Sequence, residues 1–143
     1  MLECSVIILN WNGEAMLRRY LPSVIQYTQL EGVEIVVADN GSTDASLEFL
    51  HSQPVRIIEL GENLGFAEGY NRAIEQVESK YVVLLNSDVE VTSNWLDTLL
   101  NYARAHEEVV AIQPKILSWQ SKEDAIKSGS SEVLFEHAGA AGG

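Results

Sequence analysis

Apolar residues recur along this chain in two alternating rhythms. Ser5-Val-Ile-Ile-Leu9, Val33-Glu-Ile-Val-Val-Ala38, Val55 to Leu60, Tyr81-Val-Val-Leu-Leu85 and Val109 to Gln113 have the length and β-branched composition of buried strands, the last closed by Pro114. Between them the period becomes helical. Ala15 to Tyr27 carries Leu17, Tyr20, Leu21, Val24 and Ile25 at helical spacing, with Pro22 predicting a kink or a break. Asp44 to His51 predicts a short helix with Leu47 and Leu50 inward. Phe66 to Val77 gathers Tyr70, Ala73, Ile74 and Val77 on one side, and Asn94 to Ala105 carries Trp95, Leu96, Leu99, Leu100 and Ala103. Strand and helix alternate, and the connections are too long for hairpins. The pattern implies an α/β fold, a mostly parallel sheet with helices on both faces. No repeat exists beyond this alternation.

After Lys115 the pattern fades. Ser118 to Ser131 is polar and reads as a loop, and Ala138-Gly-Ala-Ala-Gly-Gly143 as a flexible tail. A compact domain rarely ends in mid-loop, so the chain reads as truncated at its C-terminus. A natural disordered tail is the alternative. The expected division is a subdomain at 1–117 followed by a loop region at 118–143.

The 143 residues fit one domain. With 46% hydrophobic and 21% charged residues, the composition is globular rather than disordered. A formal net charge of −12 argues against nucleic acid or anionic lipid as a partner through a broad patch. The same field repels a free diphosphate. Phosphate binding therefore needs a divalent cation, a helix N-terminus or local Lys/Arg. Cys4 is the sole cysteine, so neither an internal disulfide nor a Cys-based zinc site can be built. Met1 to Ser5 lacks the basic residues of a signal peptide, and Val6 to Leu9 is too short to span a bilayer. A soluble, cytoplasmic domain is expected; a membrane anchor elsewhere in a longer parent protein is compatible with this.

Ligands of open α/β sheets sit beyond the carboxyl ends of the strands. Each of the first four strands ends there in a polar cluster: Asn10-Trp11-Asn12-Gly13, Asp39-Asn40-Gly41-Ser42-Thr43-Asp44, Glu62-Asn63-Leu64-Gly65 and Asn86-Ser87-Asp88. Their convergence on one edge is stronger evidence than any single cluster. Asp88 either ligates Mg²⁺ or Mn²⁺ through oxygen or accepts backbone N–H bonds in its turn, and the tripeptide alone favours the turn. Asp39 either accepts an N–H from a uracil, thymine or guanine ring or forms the Asn40-Gly41 turn. Ser42 to Asp44 read as the cap of the following helix. Trp11 can stack on a base, but by itself it reads as a core residue at the strand edge. Asn63 and the glycines at 65 and 69 open a helix whose N-terminus favours anions. Asn71 reads as a buried amide and Arg72 as an exposed side chain. His51, His106 and His137 have no spacing for a metal or a triad; the first two read as surface residues near helix ends.

Four ordered segments together resemble the family 2 glycosyltransferases of the GT-A fold: Ser5 to Gly13, Val36 to Asp44, Glu62 to Asn71 and Tyr81 to Val89. The resemblance covers roughly residues 5 to 115 and is nearest to bacterial rhamnosyltransferase-like enzymes of cell-surface polysaccharide synthesis. It implies a Rossmann-like nucleotide-diphospho-sugar transferase fold, with 1–117 as the nucleotide-sugar-binding subdomain and 118–143 as the start of the acceptor region. It implies that Asn10 and Trp11 line the base pocket, that Asp39 contacts the base, and that Asn63 and Gly65 lie near the ribose and phosphates. Asn86-Ser87-Asp88 takes the place of the DxD motif; only its last acid remains, so Asp88 would carry the metal contact. The implied reaction is inverting transfer from a UDP- or dTDP-sugar to an acceptor hydroxyl on a glycan or lipid-linked acceptor, assisted by Mg²⁺ or Mn²⁺. No residue here matches the family's catalytic base, so a donor-binding part is expected. Apolar surface left by a cut through the domain would favour a homodimer.

Rival classes fit less well. A receiver domain needs an acidic pair after the first strand and an Asp after the third; this chain has Asn10 and Asn12, and no Asp between Val55 and Asn63. A nicotinamide-dependent oxidoreductase needs a glycine-rich turn after the first strand. A nucleotidyltransferase, or a non-catalytic nucleotide-binding domain on the same sheet, remains the alternative.

Overall fold

The computed structural model describes residues 1–106, together with the backbone of 112–114 and 135–137. The chain divides into two compact units, Met1–Ser93 and Asn94–Gly143. The expected boundary at 117, the loop at 118–131, residues 109–111 of the expected fifth strand and the tail at 138–143 lie outside the described residues.

The first unit is built on a four-stranded parallel sheet in the order β3-β2-β1-β4, formed by β1 (Leu2–Asn10), β2 (Val33–Asp39), β3 (Arg56–Glu59) and β4 (Ser79–Leu85). The register sets Asn10 opposite Asp39, Asp39 opposite Glu59, and Ile8 opposite Leu85. All four carboxyl ends therefore share one edge. Three helices connect the strands: α1 (Glu14–Tyr27), α2 (Ser46–His51) and α3 (Phe66–Glu75). From β1 to β3 the chain steps one way, then returns past β1 to reach β4. Right-handed crossovers put α1 and α2 on one face and α3 on the other.

The core follows from the pleat. Ile7, Val36, Ala38 and Ile58 cluster with Tyr70 and Ala73 of α3. Val6, Ile8 and Val37 alternate to the opposite face and are equally buried, as are Leu17, Leu21 and Val24 of α1 and Leu50 of α2. Each such side chain contributes roughly 1.5–3 kcal/mol through burial. Gly69 is buried because α3 presses on the sheet there; a β-carbon would lie 2.9 Å from a Leu9 methyl. On the other side, the Arg18 guanidinium lies 4.6 Å from the centre of the Phe49 ring, tying α1 to α2. Pro22 does not break α1, which runs through it; its exposed position costs the helix one backbone bond only.

The second unit contains α4 (Trp95–Ala105), with Trp95, Leu96, Leu99 and Leu100 buried, and a two-stranded antiparallel sheet of β5 (Ile112–Pro114) and β6 (Phe135–His137). The sequence pattern gave no sign of β6, whose three residues sit in a stretch without periodicity. Among the described residues, no helix is long and apolar enough to cross a membrane.

Candidate functional site

The strand order reverses between β1 and β4, and in open parallel sheets ligands bind at such a switch point, beyond the carboxyl ends of the strands. Asn10 and Trp11 lie on one side of it, and Asn86 to Asp88 on the other. Asp39 ends the strand beside β1, and the loop from β3 brings Asn63 and Gly65 to the same edge.

Asp39 is buried and its carboxylate is already engaged. Oδ1 accepts Asn10 Nδ2 at 3.0 Å and Ser42 Oγ at 2.7 Å, and Oδ2 accepts the Ser42 backbone N–H at 2.9 Å. The turn reading of Asp39 is therefore realised, and one lone-pair position on Oδ2 remains. Ser42 Oγ also accepts Asn10 Nδ2 at 3.2 Å and the Asn12 backbone N–H at 2.8 Å. Asn12, in the left-handed region with φ 49°, accepts the Thr43 N–H at 2.7 Å on its own Oδ1. The loops after β1 and β2 are thus laced together. Asn10 Oδ1, however, is buried without a partner. Such an orphan acceptor costs roughly 1–3 kcal/mol and gains from any donor that reaches it.

Trp11 is 54% exposed, which overturns its reading as a core residue. The strand ends at Asn10, and the turn leaves the indole in solvent at the carboxyl edge of the sheet. Asn71 is likewise exposed rather than a buried amide, because it falls on the outer side of α3. Arg72 is exposed as expected and pairs with Glu68 at 2.7 Å, a contact that raises its pKa. His51 is exposed at the end of α2, but His106 is half-buried; its ring stacks on Tyr102 with centroids 4.0 Å apart and hydrogen-bonds the Tyr102 carbonyl at 3.0 Å. The side chain of His137 lies outside the described residues.

The third loop is held from below. Asn40, buried at the end of β2, donates to Asn63 Oδ1 and to the Gly65 carbonyl, while Asn63 Oδ1 also accepts the Gly65 N–H at 3.0 Å. Gly65 has φ 85° and ψ 177°, a conformation open only to glycine, and from it α3 begins with its first amides directed out of the helix. Sequence reasoning assigned no role to Asn40, Ser42 or Asn12 beyond turn chemistry. The available signal was an Asx-rich turn after a buried strand, which does not reveal partners more than twenty residues away.

The fourth cluster differs. Tyr70, buried on α3, donates its hydroxyl to the Leu85 carbonyl at 3.0 Å and so fixes the end of β4. Burial pushes the Tyr70 pKa up. Beyond Leu85, the side chains of Asn86, Ser87 and Asp88 make no hydrogen bond to any described residue, and Asp88 is exposed. The turn reading of Asp88, with its carboxylate accepting backbone N–H groups, is not realised. Among the described residues, no group of three or more His, Cys, Asp or Glu could hold a metal. A single free carboxylate fits a cation that takes its other ligands from phosphate oxygens and water, the usual habit of Mg²⁺.

Residues 5–134 match glycosyl transferase family 2, and the chain belongs to that family. It is 32% identical over 110 residues to the uncharacterized glycosyltransferase YfnE of Bacillus subtilis, covering 74% of this chain and 27% of that protein. It is 29% identical over 124 residues to an N-acetylglucosaminyl-diphospho-decaprenol L-rhamnosyltransferase of Mycobacterium tuberculosis, covering 78% of this chain and 40% of that one. The chain therefore spans well under half the length of these relatives. Among solved structures, Staphylococcus aureus TarS in complex with UDP-GlcNAc aligns with a TM-score of 0.70 at 22% identity, over 82% of this chain and 36% of that one. A mannosyltransferase from Pyrobaculum calidifontis in complex with GDP-Man and Mn²⁺ aligns with a TM-score of 0.66 at 20% identity, over 87% and 38%. These likenesses establish the GT-A, Rossmann-like fold expected from the sequence.

Proposed function

We propose that this chain is the donor-binding part of a glycosyltransferase that moves a sugar from a nucleoside-diphosphate sugar to an acceptor hydroxyl in bacterial cell-surface polysaccharide synthesis. The observation that carries the proposal is the switch point between β1 and β4, with Asn10 and Trp11 at the end of one strand and the free Asp88 carboxylate beyond the end of the other. Residues 1–117 form the nucleotide-sugar subdomain and 118–143 begin the acceptor region. The protein works in the cytoplasm, its acceptor a glycan or lipid-linked sugar.

Each residue has a task. Trp11 stacks on the base. Asp39 offers its remaining lone pair to a ring N–H, which a uracil or thymine imide supplies, and Asn10 Oδ1 takes a second donor. Asn63 and Gly65 border the ribose and diphosphate, where the first amides of α3 favour negative charge. Asn86 and Ser87 complete the floor. Asp88 would hold Mg²⁺ or Mn²⁺, and the chemistry such an ion would supply there is neutralisation of the charge on the departing diphosphate. The acceptor oxygen attacks the anomeric carbon from the opposite side, with inversion, as a base outside this chain removes its proton.

Calorimetric titration with UDP, dTDP and GDP, with and without Mn²⁺, tests the reading. One diphosphate should bind in a metal-dependent way, and Asp88→Ala should abolish that dependence. Binding that ignores both Mn²⁺ and Asp88→Ala would sink the metal assignment. Sugar transfer to an acceptor by this chain alone would sink the donor-only assignment.

A further inference from the structure

We infer that Asn40 is a positioning residue for the donor: it locks the 61–65 loop and the start of α3 onto the loop after β2, so that a nucleotide meets both as one preformed surface. The inference rests on the nucleotide-site reading above. Asn40 is 2% exposed and touches no solvent-facing ligand position itself. Its Nδ2 donates to Asn63 Oδ1 at 3.2 Å and to the Gly65 carbonyl at 3.1 Å, and its Oδ1 accepts the Leu64 N–H at 3.0 Å. One side chain thus binds three consecutive residues of another loop.

Two glycines show how closely this clamp is built. A β-carbon on Gly69 would stand 3.1 Å from Asn40 Nδ2, so α3 closes on the amide only because residue 69 has no side chain. A β-carbon on Gly41 would stand 2.6 Å from the Glu62 α-carbon, so the two loops meet backbone to backbone beside the clamp. Asn63 and Gly65 are exposed on the far side of these contacts. The loop is therefore held from its inner face while its outer face stays open. Ordering a loop before its ligand arrives removes a cost that binding would otherwise bear.

Asn40→Asp tests this, since the shape is kept while an oxygen replaces Nδ2 against two acceptors. Amide hydrogen exchange at residues 61–66 should accelerate without ligand, while amides of β1 and β2 keep their protection. Affinity for the diphosphate that the wild type binds with Mn²⁺ should fall at least tenfold. Unchanged exchange, or unchanged affinity with faster exchange, would overturn the role. A wild type that binds no diphosphate defeats the nucleotide-site reading and the donor role with it, and the exchange result then reports on the clamp alone. Should Asn40→Asp not fold, Gly69→Ala displaces the same amide from the helix side and is read by the same two measurements.

Discussion

Asp44 caps a helix to which it does not belong. From the loop after β2, its Oδ2 accepts the backbone N–H of Glu14, the first residue of α1, at 3.1 Å, while its Oδ1 accepts the N–H of Ser46, the first residue of α2, at 3.0 Å. Gly13, at the start of α1, offers no side chain for the purpose. Desolvation is the largest single influence and pushes the Asp44 pKa up, but the bonds from Ser46 and the Glu14 amide together outweigh it and hold the pKa below the ordinary carboxylate value. The folded state thus favours the ionised form. Its stabilisation is complete above the unfolded pKa of about 3.9 and is lost as the pH falls through the lower folded value. Asp44→Ala should cost roughly 0.5–2 kcal/mol near neutrality. Urea titrations from pH 2 to 7 should show the difference from wild type shrinking in acid; a constant difference would remove the ionic contribution.

Gly41 and Gly61 offer a paired measurement. Both have positive φ, 77° and 85°, but only Gly41 faces another backbone; nothing lies within 4 Å of a β-carbon at Gly61. Gly61→Ala should cost roughly 1–2 kcal/mol for the left-handed conformation alone. Gly41→Ala should cost clearly more. Equal losses in denaturant unfolding would mean that the two loops separate freely.

Trp11→Ala should separate stability from binding. The indole is exposed, so the melting temperature should barely change. Nucleotide affinity should fall by the value of one base stack, roughly 1–3 kcal/mol. A large drop in melting temperature would return Trp11 to a packing role.

Cys4 should be inert while the fold persists. Burial, with a smaller contribution from Glu3, pushes its thiol pKa up to about 12. Modification by a thiol reagent at pH 8 should follow unfolding, with full reactivity in denaturant. Rapid stoichiometric labelling of the native protein would contradict this burial.

The sheet and its helices were legible because burial imposes periodicity on local sequence. Element ends were less so. The strand at Ser5 extends back to Leu2 because the Glu3 and Cys4 amides bond to the Gly32 carbonyl and Leu2 pairs with Ser79, neither of which is local. The helix read from Asp44 begins at Ser46 because Asp44 serves as acceptor rather than as a helical residue. The polar clusters were legible as an edge, since parallel strands must end together. What Asn40 and Ser42 bind was not legible, because their partners come from other loops. Taken by itself Trp11 reads as a core residue, and its exposure is not legible for the same reason: neighbours in space, not in sequence, decide it.

The strand order has a consequence for how the protein is made. As the chain leaves the ribosome, β1, β2 and β3 can pair in turn, and the lacing among Asn10, Asp39, Asn40 and Asn63 needs nothing synthesised later. β4 must instead cross behind its predecessors to reach the vacant side of β1, a long-range closure of the kind that slows folding. The Asn86–Asp88 end of β4 is thus the last part of this sheet edge to be added, and a nascent chain should own the finished loop cluster of Asn10, Asp39, Asn40 and Asn63 before it owns the fourth strand's terminus.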